Sequence, residues 1–180
     1  MASPLSELRS EPTKASLDNI LEWLRDKFGD TGHPLLHVRD LNAGQGGTFT
    51  QGSWQTRVLQ TIPTNEITGA SLASNQITLP AGTYFCIAWA GAVDVDQHQT
   101  RLWDTTGAAE LIRGGTAFAR SGSGGGTTNS WVIGRFTISA ESDIELRHRC
   151  ATSQVTNGFG VDVTWVDNIY SEVMIWQLSL

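Results

Sequence analysis

Positive charge is what this chain is short of. Its 180 residues carry 12 Lys and Arg against 18 Asp and Glu, for a net charge of -6 and a pI near 5.1. A phosphate backbone is bound by clustered cations that displace its counterions, so this balance argues against a nucleic-acid partner. Cysteine is scarce as well. Cys86 and Cys150 are too few for a disulfide framework and lack the CxxC spacing of zinc and redox motifs, which leaves two free, buried thiols as the expectation. No apolar run approaches the length of a membrane span, and Met1 to Lys14 has neither the basic nor the apolar region of a signal peptide. The reading is a soluble chain made in the cytoplasm, without membrane insertion. No glycosylation triplet or lipid anchor signal is present either.

Catalytic signatures are also missing. No Gly-x-Ser-x-Gly elbow, spaced carboxylate pair, or Ser/His/Asp or Cys/His set stands out, so no catalytic residue, cofactor or resident metal is expected. The Gly-rich segment Ser121 to Thr128 lacks the Gly-Lys-Ser/Thr ending of a phosphate loop and precedes a strand rather than a helix. It reads as a mobile surface loop. Asp94 and Asp96 supply two carboxylates where calcium takes six to eight oxygens, and are read as solvated turn residues.

Glycine and tryptophan are abundant instead. Nineteen glycines imply many tight turns, and seven tryptophans exceed what a small core needs. From Trp54 to Leu180 short runs of strand-forming residues alternate with turn residues, the pattern of an all-β sandwich or barrel. Strands are expected at Trp54 to Thr61, Asn75 to Leu79, Thr83 to Val93 and Gln97 to Asp104. Weaker ones lie near Glu110 to Ile112 and Thr116 to Ala119. After a loop from Arg120 to Ser130 come Trp131 to Ser139, Asp143 to Cys150, Phe159 to Trp165 and Tyr170 to Leu178. That count fits an antiparallel jelly roll of two packed sheets.

Ahead of this head, Leu17, Ile20, Leu21, Leu24 and Phe28 recur at helical spacing, with Ser16 as N-cap and Gly29 as stop. A short amphipathic helix cannot bury its stripe alone, so these residues are read as an anchoring face. The run from Asn42 to Gly47 reads as a flexible joint. The boundary is placed there: residues 1–47 form a helical anchor segment and 48–180 the head.

Strand faces carry more. Ile144, Leu146, His148 and Cys150 alternate with Glu145, Arg147 and Arg149, as in a sheet half in water. In Tyr84 to Ala90 and in the last strand neither face is polar, so each needs cover on both sides. Ala88, Ala90, Met174, Trp176 and Leu178 are assigned to an oligomer interface on that ground. His98 and His148 lie on apolar strand faces and meet inside the sandwich if their strands are neighbours. They are read as a neutral, hydrogen-bonded core pair, with a metal site or pH switch as the alternatives.

The series Gly82-Thr83-Tyr84, His98 to Leu102, Gly134 to Ile138, Ile144 to His148 and the terminal Glu172 to Leu178 resembles the trimeric jelly-roll heads at the tips of bacteriophage fibres and spikes. Gene-transfer-agent head spikes are included in that resemblance. Such heads are similar to the complement and tumour-necrosis-factor type of jelly roll. The resemblance implies a homotrimer on the surface of a virion or phage-like particle. Residues 1–47 would attach to a capsid, tail or spike-base protein, and the head would bind host cell-surface polysaccharide without cleaving it. Contacts are expected from Arg120, Ser121, Ser123, Thr127 and Asn129 in one loop, and from Ser153, Gln154 and Asn157 in another. The rivals are a capsid-decoration or adaptor protein without a receptor and, ranked last, a glycan-processing enzyme.

Overall fold

The computed structural model describes residues 32–122 and 126–179. The expected helix with Leu17, Ile20, Leu21, Leu24 and Phe28 lies outside the described residues, as does Ser123. The compact unit holding every described strand begins at Pro34.

That start corrects the expected boundary at residue 47. Strand β1 (Leu35–Asn42) already belongs to the head, with Leu36 and Val38 fully buried. Its pattern was blurred by the adjacent Leu35 and Leu36 and by Asp40, where the register with the last strand shifts between Arg39 and Leu41. The supposed Gly joint is no joint either. Gly46 N donates to Gly160 O and Gly47 N to Thr156 O, at 2.9 and 2.8 Å. A Cβ on Gly46 would sit 2.6 Å from the Gly160 backbone, so glycine is required there by close approach, not for flexibility.

Ten further strands follow: β2 (Gln55–Thr56), β3 (Thr61–Asn65), β4 (Ser71–Ala73), β5 (Gln76–Leu79), β6 (Gly82–Val93), β7 (Asp96–Asp104), β8 (Ala109–Ala119), β9 (Thr127–Ile138), β10 (Ser142–Cys150) and β11 (Asn168–Ser179). One sheet runs β3-β1-β11-β6-β9 and the other β4-β5-β10-β7-β8, with β2 paired to β10. All named pairings are antiparallel, and the crossovers are those of a jelly roll. The all-β jelly-roll head is therefore present as expected.

Period-two alternation decides what each face does. Cys86, Ala88 and Ala90 of β6, Val132 and Phe136 of β9 and Val173 and Ile175 of β11 point inward. They meet Leu102, Ile144 and Leu146 from the opposite sheet. Each fully buried Leu or Ile contributes on the order of 1.5–3 kcal/mol relative to exposure. Ala88 and Ala90 are thus interior to one chain, which corrects their assignment to an oligomer interface.

Four other strand expectations change. Residues 57–60 are not strand, and β3 takes its place at a sheet edge, where Pro63 removes no needed hydrogen bond. The two weak strands around Gly114 and Gly115 are one irregular strand, β8. Its register against β7 slips there, and the backbone packs so closely that a Cβ on Gly114 would come 2.8 Å from Thr100 O and Trp131 O. Strand β9 starts at Thr127, inside the expected loop. Phe159 to Trp165 belongs to the loop between β10 and β11. Cys86 and Cys150 are free and buried as expected, and burial pushes their thiols up to about 12 and about 11.

Candidate functional site

The outward face of the five-stranded sheet is apolar across three adjacent strands. Phe85, Ile87 and Trp89 of β6 lie beside Met174 and Trp176 of β11 and Trp131 and Ile133 of β9. Ile133 is 59% and Trp131 45% exposed. The Trp89 and Trp131 rings approach to 6.2 Å between centroids and Phe85 and Trp176 to 6.3 Å. Two charged groups border the patch: Arg135 of β9 is exposed in register with Phe85, and Glu172 is engaged by His37 at 2.6 Å and by Trp89 Nε1 at 3.1 Å. Sequence periodicity found this two-faced character, and the structure places Met174 and Trp176 on this outward side, while Leu178 falls where the register with β6 shifts between Gln177 and Ser179.

One end of the sandwich gathers the β6–β7 turn, the β8–β9 loop and the long β10–β11 loop. Asp96 ties them together. Its carboxylate accepts from Ser121 N and Oγ and from Thr152 Oγ1 at 3.0, 2.9 and 2.6 Å, and these bonds hold it below the usual carboxylate range. Asp96 is therefore a loop clasp rather than a solvated turn residue. Beneath it lies Arg57, fully buried. Its guanidinium donates to the carbonyls of Tyr170, Gly91 and Phe159 at 2.9, 3.4 and 3.4 Å. Burial lowers its pKa to about 9, and the nearby Asp40 opposes that shift.

His98 and His148 do meet. His98 Nδ1 and His148 Nε2 are 2.9 Å apart, and His98 Nε2 lies 2.7 Å from Thr128 Oγ1 on the opposite sheet. His148 Nδ1 is buried without a partner. If His148 Nδ1 carried a hydrogen, an N–H donor would be stranded in the core. The consistent tautomers have His148 Nε2–H donating to His98 and His98 Nε2–H donating to Thr128. Burial, reinforced by Arg57, lowers His98 to about 4 and holds His148 well below its ordinary value. Both are neutral at pH 7. Among the described residues no three His, Cys, Asp or Glu side chains converge as metal ligands.

The outward face of the six-stranded sheet is built differently. Arg101 stacks between Trp54 and Trp103, at 4.2 and 4.0 Å from the ring centroids, and Arg147 lies 4.9 Å from Trp103. Glu110 pairs with Arg101 and Arg113. Burial by itself would raise Glu145, but hydrogen bonds from Gln76, Arg147 and Thr56 and the Arg147 charge hold it below the usual range. Beside this cluster is an open recess of about 320 Å³ bordered by Trp54, Gln97, Gln99, Thr116 and Arg149.

The expected contact residues are drawn together only in part. Arg120 is exposed beside Ser121, whose hydroxyl is spent on Asp96. Thr127 and Asn129 lie in β9 and border an open recess of about 530 Å³ with Trp89, Phe159, Asn168 and Tyr170. Ser153 Oγ accepts from Gln51 N, Gln154 pairs with Phe49 through its backbone, and Asn157 bridges to Gly47. Much of that second loop is thus fixed scaffold. Sequence reasoning missed Trp165, 79% exposed on the same loop, because an apparent strand pattern concealed it.

No protein-family model matches the chain, and no curated protein matches its sequence. Solved structures do match in fold, and they define a tumour-necrosis-factor and complement type of jelly roll. Murine APRIL at pH 8.0 superposes with a TM-score of 0.53 at 10% identity, covering 79% of this chain and 98% of that one. The globular domain of zebrafish complement 1qA superposes with a TM-score of 0.52 at 11% identity, covering 81% and 97%. At this identity the likeness is one of fold.

Proposed function

We propose that this chain is the head of a homotrimeric, non-catalytic attachment spike on a phage or phage-like particle, binding host cell-surface polysaccharide. The observation that carries the reading is the apolar outward face around Trp89, Trp131 and Ile133. Patches of this kind on a soluble head mark a protein interface, and burying it against two copies leaves the six-stranded face and the loop end open. The likeness to the complement and tumour-necrosis-factor type of jelly roll supports three-fold assembly, while the particle and the glycan rest on the resemblance to phage spike heads.

Polarity along the sandwich supports the division of labour. Within the head, Leu35 lies at the end opposite the loops, since Leu35 pairs with Trp176 and Asn42 with Asn168. Weak sites repeated on each subunit and on several spikes give avidity without high intrinsic affinity.

The test is the absolute mass of the full chain by light scattering, alongside adsorption of particles lacking it. A trimer and lost adsorption are the expected results. Particles that adsorb normally but lose physical stability would replace this reading with capsid decoration, and a monomer at all concentrations would remove the trimer.

A further inference from the structure

The recess on the six-stranded sheet carries a specific chemistry. Its side chains form a row across the strands: Arg149 of β10 pairs in register with Gln99 of β7, and Gln99 with Thr116 of β8. Trp54 closes the row next to β2, whose Gln55 pairs with His148. In the adjoining row Gln97 pairs with Phe118, which is 52% exposed. At the spacing of neighbouring strands the row spans roughly 14 Å, room for two or three sugar rings.

Arg149 stands apart from its neighbours. Arg101, Arg113 and Arg147 each have a carboxylate partner, whereas exposed Arg149 has none among the described residues. Gln97 likewise makes no side-chain hydrogen bond there, and Gln99 uses only its Nε2, toward Gly114 O and Thr116 Oγ1. Unspent amides, the Trp54 ring and an unpaired guanidinium therefore converge on one recess, with Phe118 in the adjoining row. Four arginines stand on this face against Glu110, Asp143 and Glu145, and at the recess itself the cation without a carboxylate partner is Arg149, a local charge that favours an anion.

We infer that this recess binds an acidic glycan, a carboxylated hexose stacked on Trp54 or Phe118 with its carboxylate on Arg149 and its hydroxyls on Gln97 and Gln99. Aromatic rings present flat apolar faces to the C–H face of a sugar. A guanidinium takes a carboxylate through paired, charge-assisted hydrogen bonds that a neutral hexose cannot supply. The inference rests on the reading of the chain as a glycan-binding head and names its ligand class. Because the site lies on the sheet opposite the apolar face, trimerisation leaves it open.

The experiment is equilibrium binding of the full chain to an oligomer of β-1,4-linked glucuronate, to the β-1,4-glucan of equal length and to poly-L-glutamate. The glucuronate oligomer should bind at least about ten-fold tighter than either. Arg149→Gln and Phe118→Ala should each weaken it by a similar factor, and neither should change the absolute mass of the protein. Equal binding of the neutral glucan or of poly-L-glutamate would overturn the inference, as would undiminished glucuronate binding in Arg149→Gln. If Arg149→Gln particles adsorb to host cells normally and the protein remains trimeric, this site fails while the attachment reading stands.

Discussion

The guanidinium carbon of Arg57 lies 3.9 Å from the centroid of the Phe159 ring, stacking a fully buried cation on the β10–β11 loop. The same guanidinium reaches the backbone of β6 at Gly91 and of β11 at Tyr170. One side chain thus holds the loop end to the five-stranded sheet.

Replacing Arg57 by Met should destabilise the head by about 1–3 kcal/mol, because it leaves the buried carbonyls of Tyr170, Gly91 and Phe159 without their donor and removes the charge that lowers the pKa of Asp40. Chemical denaturation measures this. Asp40→Asn should cost less in the Arg57→Met background than alone, since the charge that opposes the burial of Asp40 is then gone. Strictly additive costs would show that Arg57 acts through its packing alone.

Stability should fall in mild acid through the His98 and His148 pair. Their folded pKa values lie below the unfolded value of 6.5, so between that value and about 4 the unfolded chain binds protons that the folded chain refuses. Above pH 6.5 the pair contributes no pH dependence. Below it each imidazole removes about 1.4 kcal/mol per pH unit, or about 2 kcal/mol per residue by pH 5. Denaturant midpoints of wild type and of the His98→Gln/His148→Gln double variant, taken from pH 7.5 to 5, are the comparison. A wild-type slope no steeper than the variant's would refute the buried neutral pair.

A charge on the outward face of the five-stranded sheet should break assembly without unfolding the subunit. Ile133→Lys adds a solvent-compatible side chain at a position already 59% exposed, so monomer stability should change by no more than about 0.5 kcal/mol. Mass measurement should then report a monomer, in place of the trimer proposed for the wild type. An unchanged mass would place the interface elsewhere.

The two-faced character of β6 and β11 was legible because strand periodicity depends only on which neighbours in the chain share a side. Reading a face as apolar did not say which side was core. Ala88 looked as suitable for an interface as Trp176, and only the pairing of both sheets buried the alanines and left the larger aromatics outward. Strand β1 escaped notice because Asp40 interrupts its inward face, and that aspartate makes sense only beside Arg57, 17 positions later in the chain.

Taken alone, the sequence determined the all-β sandwich, its strongest strands, two unpaired cysteines and the inward position of both core histidines. Each of these follows from local periodicity, composition or spacing. Tertiary structure decided that residues 34–47 are part of the head, that Asp96 clasps two loops, and that Trp54, Gln99, Thr116 and Arg149 stand in one row. Those relationships join positions far apart in the chain, and no local pattern encodes the strand order that brings them together.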